Sequence, residues 1–251
     1  MIREERGLYD QSMEHDACGV GFVANIDGTR SHDIVEEGIR VLCNLEHRGA
    51  VGADGKTGDG AGMLVQIPHR FYTKVCRFDI PDEGSYGTGI IFLPVDDARC
   101  RRVEKLTDAA VRAAGGTLLG WRDVPIDPDC LGEMARDIMP GIKQIFVRFD
   151  GLSDESLERK LYVLRRMIEN DARREGFGID DFYIASLSCK TIVYKGMFVA
   201  PQFATFYPDA ADPDFTSGLA LVHQRYSTNT FPSWPLAQPF RRIAQDRKSV
   251  V

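Results

Sequence analysis

Long apolar runs are missing from this chain. No stretch approaches the roughly 20 residues needed to cross a bilayer, and the opening residues carry no apolar segment of a secretory signal. A basic excess is missing too. With a net charge of −6, the surface as a whole offers nothing to nucleic acid or to an anionic membrane. Paired-cysteine motifs are also absent. Cys18, Cys43, Cys76, Cys100, Cys130 and Cys189 stand far apart, with no C-x-x-C. That spacing excludes a disulfide framework and offers no zinc or iron–sulfur motif. The histidines show no metal spacing either, so no metal site is expected. These absences together predict a cytoplasmic protein with reduced thiols.

Low-complexity blocks, internal repeats and Pro/Gly/Ser linkers are likewise lacking. The 251 residues, 43% hydrophobic and 27% charged, suffice for an ordinary core without a disulfide or metal staple. One domain is the better count.

Apolar periodicity then sets the elements. "ACGVGFVAN" reads as a short strand. "SHDIVEEGIRVLCNLEHRG" reads as a helix with Ser31 as N-cap, Asp33 in the first turn, and Ile34, Val35, Ile39, Leu42 and Leu45 on one face. His47 to Gly62 is glycine-laden and reads as a loop. "MLVQIP", "GTGIIFLP", "GTLLGWRDVP" and "QIFVRFD" read as strands, and "DDARCRRVEKLTDAAVRAAG" as a helix. "SDESLERKLYVLRRMIENDARREG" is a long charged helix capped by Ser153. No capping box is expected there, because Ser156 stands where an acid is needed. "FYIASLSCKTIVYKG" reads as two strands joined by a tight turn, and "LALVHQRYST" as a final strand. Strands occur back to back too often for pure βαβ winding. The expected fold is α+β, layered, with largely antiparallel sheets.

The chemistry centres on Cys18, placed between a polar leader and the first strand. If the leader is removed, Cys18 carries both a thiol and a free α-amine. The amine, with a pKa of about 8, can serve as general base, and the thiol, near 8.5, as nucleophile. An amide nitrogen at that position cannot accept a proton, so leader removal is the switch. The glycine-rich loop lacks the G-x-x-x-x-G-K-[ST] spacing of a phosphate cradle, because Lys56-Thr57 precede Gly58 and Gly60. It reads as architecture, with His47 and Arg48 bracing it. His223 and Arg225, two apart, are expected on one strand face. "TFPSWPLAQPF" reads as a packed pocket wall in preference to a peptide-docking surface.

The stretches "LYDQSMEHDACGVGFV", "LCNLEHRGAVGADGKTGDGAG", "TIVYKGM" and "LALVHQRYSTNTFPSWPLAQPFR" occur in that order. In combination they resemble the glutaminase domain of glutamate synthase large subunits, one of the class II glutamine amidotransferases. That family consists of N-terminal-nucleophile hydrolases with an αββα sandwich. The resemblance implies that residues 1–17 are a leader and that 18–251 form the amidotransferase domain. It implies Cys18 as nucleophile, Arg225 as the grip on the α-carboxylate of glutamine, and Thr228 as part of the same pocket. A planar guanidinium suits a carboxylate through two parallel charge-assisted hydrogen bonds.

The resemblance also implies a parent enzyme in which ammonia reaches a synthase site and meets 2-oxoglutarate. FMN and an iron–sulfur cluster supply the electrons there, sometimes with a small electron-donating subunit; no such cofactor is expected in this chain. NADPH, NADH and ferredoxin are not distinguished as donors. A glutaminase domain serving another acceptor, and a non-catalytic scaffold of the same fold, are the rival readings.

The chain departs from its family after "PLAQPFR". The family continues close to "IAHNGEIN", where Asn and Gly build an oxyanion hole and a later Asp holds the substrate amine. Here the residues are "RIAQDRKSVV". Residues 246–251 can be encoded as GAT CGG AAG AGC GTC GTG, which resembles a common sequencing adapter. A histidine codon cut after CA and joined to the adapter's preceding A reads as Gln245. The tail is therefore expected to be non-native, and the domain incomplete at its C-terminal end. Each lost oxyanion donor commonly costs about 10²–10³ in rate, so the polypeptide as written is expected to hydrolyse glutamine poorly.

Overall fold

The computed structural model describes residues 19–227 and 231–242. Cys18, Thr228 and the tail from residue 243 onward lie outside the described residues.

The elements in chain order are β1 (Gly19–Ala24), α1 (His32–Asn44), β2 (Thr57–Gln66), α2 (His69–Val75), β3 (Tyr86–Leu93), α3 (Asp97–Ala113), β4 (Thr117–Asp123), α4 (Glu133–Asp137), β5 (Gly141–Arg148), α5 (Asp154–Arg174), β6 (Tyr183–Ile184), β7 (Thr191–Phe198), α6 (Phe203–Phe206) and β8 (Leu219–Gln224). They build two four-stranded sheets, β1-β8-β2-β7 and β4-β5-β3-β6. Every strand pair is antiparallel. Helix α1 lies on the first sheet, where Gly38 packs close to Ala220 and Met63. Helices α3 and α5 cover the second sheet, with Val103, Leu157, Leu161 and Leu164 packed against Ile91, Ile145 and Val147. The result is the expected α+β sandwich of antiparallel sheets between helices.

Helix α1 follows its pattern. Ser31 is extended and its hydroxyl accepts from the Ile34 N–H at 3.4 Å, while Ile34, Val35 and Leu42 are buried. In α5 the stripe Leu157, Leu161, Leu164 and Ile168 is buried, at the spacing that gives one helical face. Its N-terminus corrects the expectation. The Ser156 hydroxyl accepts from the Ser153 N–H at 3.2 Å, so a serine supplies the reciprocal arm assigned above to an acid alone. Ser156→Ala should therefore cost about 0.5–1 kcal/mol, read as a lower denaturant midpoint with an unchanged slope; an unchanged midpoint would show that this arm adds nothing.

Other elements also depart from expectation. The glycine-rich loop is shorter than it looked, because Thr57 to Gly62 already belongs to β2, with a register shift between Thr57 and Ala61. "FYIASLSCKTIVYKG" is no hairpin. Strand β6 pairs with β3 in the second sheet, whereas β7 pairs with β2 in the first. The chain crosses between sheets over Gly89, where a Cβ would lie 1.6 Å from the Ser186 carbonyl oxygen. The last strand ends at Gln224, short of the expected Thr228. Helices α2, α4 and α6 had no counterpart in the sequence reading. Helix α2 buries Phe71 and Tyr72, α4 buries Ala135, and around α6 Phe203, Phe206 and Tyr207 gather on Phe198 and Trp234.

A buried polar network sits within the larger core. Arg122 donates to both oxygens of Asp209 at 2.8 and 2.6 Å, and to Gln144 Oε1 at 3.2 Å. The Tyr194 hydroxyl donates to Asp209 at 3.1 Å. Burial opposes the Arg122 charge, but the Asp209 carboxylate outweighs it and raises the guanidinium pKa. Among the described residues, no helix is long and apolar enough to cross a membrane.

Candidate active site

Strand β8 is flanked by β1 on one side and β2 on the other. This makes its C-terminal end a meeting point for three sequence motifs. Gly19, the covalent neighbour of Cys18, stands opposite Gln224 in the β1–β8 ladder. Arg225 follows at once. Although it lies past the last β8 residue, its backbone N–H continues the ladder by donating to Gly60 O at 2.7 Å. Its guanidinium is largely buried at 8% exposure. The Nη1 atom donates to Asp59 O at 3.4 Å, and Nη2 to Ser227 Oγ at 3.1 Å. The Asp59 carboxylate also accepts from the Ser227 N–H. The structure thus gathers the residue after Cys18, the "HQR" stretch and the "GDG" of the glycine-rich segment. His223 is fully buried on the face that Arg225 shares by alternation.

The glycines act through close approach. Gly60 has φ +129°, and a Cβ there would lie 2.8 Å from Ala237 Cβ. A Cβ on Gly62 would lie 2.6 Å from the Gln238 carbonyl oxygen. Ala237 and Gln238 therefore lie directly on β2 and Trp234 on Gly196 of β7, so the second half of "TFPSWPLAQPF" forms the expected packed wall, while Phe231 is exposed. Trp234 is buried and its indole N–H donates to Ala135 O at 3.1 Å. Arg48 braces the start of β1, since its side chain fills the place a Gly19 Cβ would take; His47 is exposed.

The sequence reading missed Lys195, a charged residue at the centre of the apolar strand β7. It is fully buried. Its Nζ donates to Pro235 O at 2.8 Å, Ala237 O at 2.7 Å and the Tyr183 hydroxyl at 3.3 Å. Burial, followed by the nearby Arg165 and Arg225 charges, holds its pKa well below the ordinary lysine value. The available signal was a lone lysine inside "TIVYKGMF". Gln224 was missed as well: its side-chain amide is buried against Gly49, and neither polar atom has a hydrogen-bond partner among the described residues.

The thiols of Cys43, Cys76, Cys100, Cys130 and Cys189 are all pushed up by burial, that of Cys76 to about 11. None of these five supplies a ready thiolate near neutral pH. Asp54 shapes the loop before β2. Thr57, through its hydroxyl and N–H, and the Lys56 N–H lower its pKa to about 2. That staple is complete above the ordinary carboxylate range and is lost only as pH falls through about 2.

Residues 18–247 match the family "Glutamine amidotransferases class-II". The chain is 48% identical over 248 residues to the glutamate synthase [NADPH] large chain of Azospirillum brasilense, covering 95% of this chain and 16% of that protein. It is 44% identical over 244 residues to the glutamate synthase [NADPH] large chain of Bacillus subtilis, covering 96% of this chain and 16% of that protein. It is 40% identical over 237 residues to ferredoxin-dependent glutamate synthase 2 of Synechocystis, covering 93% and 15%. The chain thus spans about one sixth of the length of these relatives. With the family match running from Cys18 across the whole β1–β8–β2 site, this chain belongs to the class II glutamine amidotransferases.

Proposed function

We propose that this segment is the glutaminase part of a glutamate synthase large chain. The Cys18 thiolate attacks the side-chain amide carbon of glutamine. The carbon–nitrogen bond breaks, the leaving nitrogen takes a proton from the Cys18 α-ammonium, and ammonia departs. Water then attacks the thioester, its proton passes back to the α-amine, and glutamate is released. Arg225 grips the α-carboxylate, and Thr228 borders the same pocket. Reduction of 2-oxoglutarate, with FMN and an iron–sulfur cluster, belongs to the remainder of the parent protein, as does any small electron-donating subunit.

The single observation that supports this reading is strand register. Gly19, the covalent neighbour of Cys18, faces Gln224, the covalent neighbour of Arg225. A nucleophile joined to the start of β1 and a carboxylate anchor joined to the end of β8 suit a short amino-acid substrate held by one end and cut at the other. The test is glutamate release from L-glutamine by a protein of the relatives' full length carrying this segment, with N-terminal mass determined on the same sample. Release by a species beginning at Cys18 is expected. Equal release with Met1 retained would overturn the mechanism.

Arg225→Gln should lower kcat/KM for glutamine about 10²-fold, because a charge-assisted pair of hydrogen bonds is replaced by a neutral contact. Steady-state kinetics check this. A change under about threefold would remove Arg225 from the carboxylate role.

A further inference from the structure

We propose that Lys195 is a positioning residue for glutamine binding, acting through Arg225. The inference rests on the glutaminase reading above and deepens it.

The connection runs through three contacts. Lys195 Nζ holds the carbonyls of Pro235 and Ala237 at 2.8 and 2.7 Å. Ala237 sits on Gly60 so closely that a Cβ there would lie 2.8 Å from the alanine methyl. Gly60 O in turn accepts the Arg225 N–H at 2.7 Å, and the adjoining Asp59 carbonyl accepts from the guanidinium at 3.4 Å. The backbone and the head group of Arg225 thus both hang from residues 59–60. Those residues are pressed in place by a wall that Lys195 ties to β7. The wall has a second tether farther on, where Arg241 pairs with the buried Glu158 of α5.

An apolar side chain of similar length would fill the space but leave two buried carbonyls without this donor. A charge there is costly to bury, and no carboxylate pairs with it among the described residues. The faces of Tyr183 and Phe240, 4.6 and 4.5 Å from Nζ, take part of the place of water around the ammonium. Burial above all, and then the Arg165 and Arg225 charges, depress the lysine pKa, so Lys195 acts on the wall through its hydrogen bonds. This route acts on the carboxylate end of the substrate and not on the amide end.

That asymmetry supplies the test. In a protein of the relatives' full length, kcat/KM is measured for L-glutamine and for L-glutaminamide, in which the α-carboxylate is a neutral amide. For Lys195→Met the ratio of the two is expected to fall about tenfold, about 1.4 kcal/mol of carboxylate-specific binding. Lys195→Gln, which keeps one donor for the carbonyls, should fall between, and it serves if Lys195→Met fails to melt cooperatively. A lysine that only packs the wall would lower both substrates alike. An unchanged ratio in both variants overturns the inference. If Arg225→Gln also leaves the ratio unchanged, the carboxylate role of Arg225 fails and takes the Lys195 inference with it. If only the Arg225 variant moves the ratio, Arg225 keeps its role and Lys195 loses the one proposed for it.

Discussion

Cys18→Ala is expected to abolish glutamine-dependent turnover in a protein of the relatives' full length while ammonia-dependent synthesis survives. The loss should exceed about 10³-fold, since removing the nucleophile of a covalent mechanism commonly costs far more than one hydrogen bond. The five cysteines with described structure cannot substitute. Their thiols are raised by burial, so each is an even weaker source of thiolate than a free cysteine. Keeping residues 1–17 attached should have a related effect, because the base is then an amide nitrogen. Retention of the thiol separates the two lesions: an electrophilic glutamine analogue should still label an unprocessed Cys18 slowly, and should not label the alanine variant at that position. Glutamine consumption at the ordinary rate by Cys18→Ala would end the nucleophile assignment, whatever the state of the leader.

Asp209→Ala should produce the largest loss of stability, about 3–5 kcal/mol. Asp209 is 5% exposed and accepts both arms of the Arg122 fork. Its removal leaves a buried guanidinium facing only Gln144 and the Phe71 ring. The Tyr194 hydroxyl loses an acceptor at the same time. Replacing both members, as in Arg122→Met with Asp209→Leu, should restore much of the loss, because an apolar pair has no charge to leave unpaired. Chemical denaturation of the single and double variants measures the coupling. A double-variant loss equal to the sum of the two single losses would mean that the ion pair contributes no coupling and that packing around Tyr72, Tyr194 and Phe71 carries this part of the core.

Candidate site residues could be named before any coordinates, because the motifs that carry them are contiguous in the sequence. Arg225 stands out only through the motif around it, because an isolated arginine in that place reads as a surface ion-pair partner and the "HQRYST" resemblance supplies the carboxylate role. Cys18 stands out because the polar leader before it and the apolar run after it mark a boundary. The wall role of "TFPSWPLAQPF" followed from its aromatics and prolines. Lys195 was hidden for the opposite reason. Strand β7 is buried on both faces, so its sequence is nearly continuous in apolar residues, and the one lysine looks like a snorkelling surface group until Pro235 and Ala237 are brought to it.

By itself, the amino-acid sequence determined the family, the helices α1 and α5, the antiparallel α+β class and the candidate nucleophile and anchor. The helices and the fold class depend on residue type and on spacing within one turn or one strand, whereas the family, the nucleophile and the anchor came from the ordered motifs that carry the resemblance. Tertiary structure alone decided that β6 and β7 enter different sheets, that residues 57–62 extend β2, and that a lysine 42 positions from Ala237 holds its carbonyl. Strand pairing and the exclusion of water are set by contacts between residues distant along the chain, and periodicity within one segment carries no record of its partners.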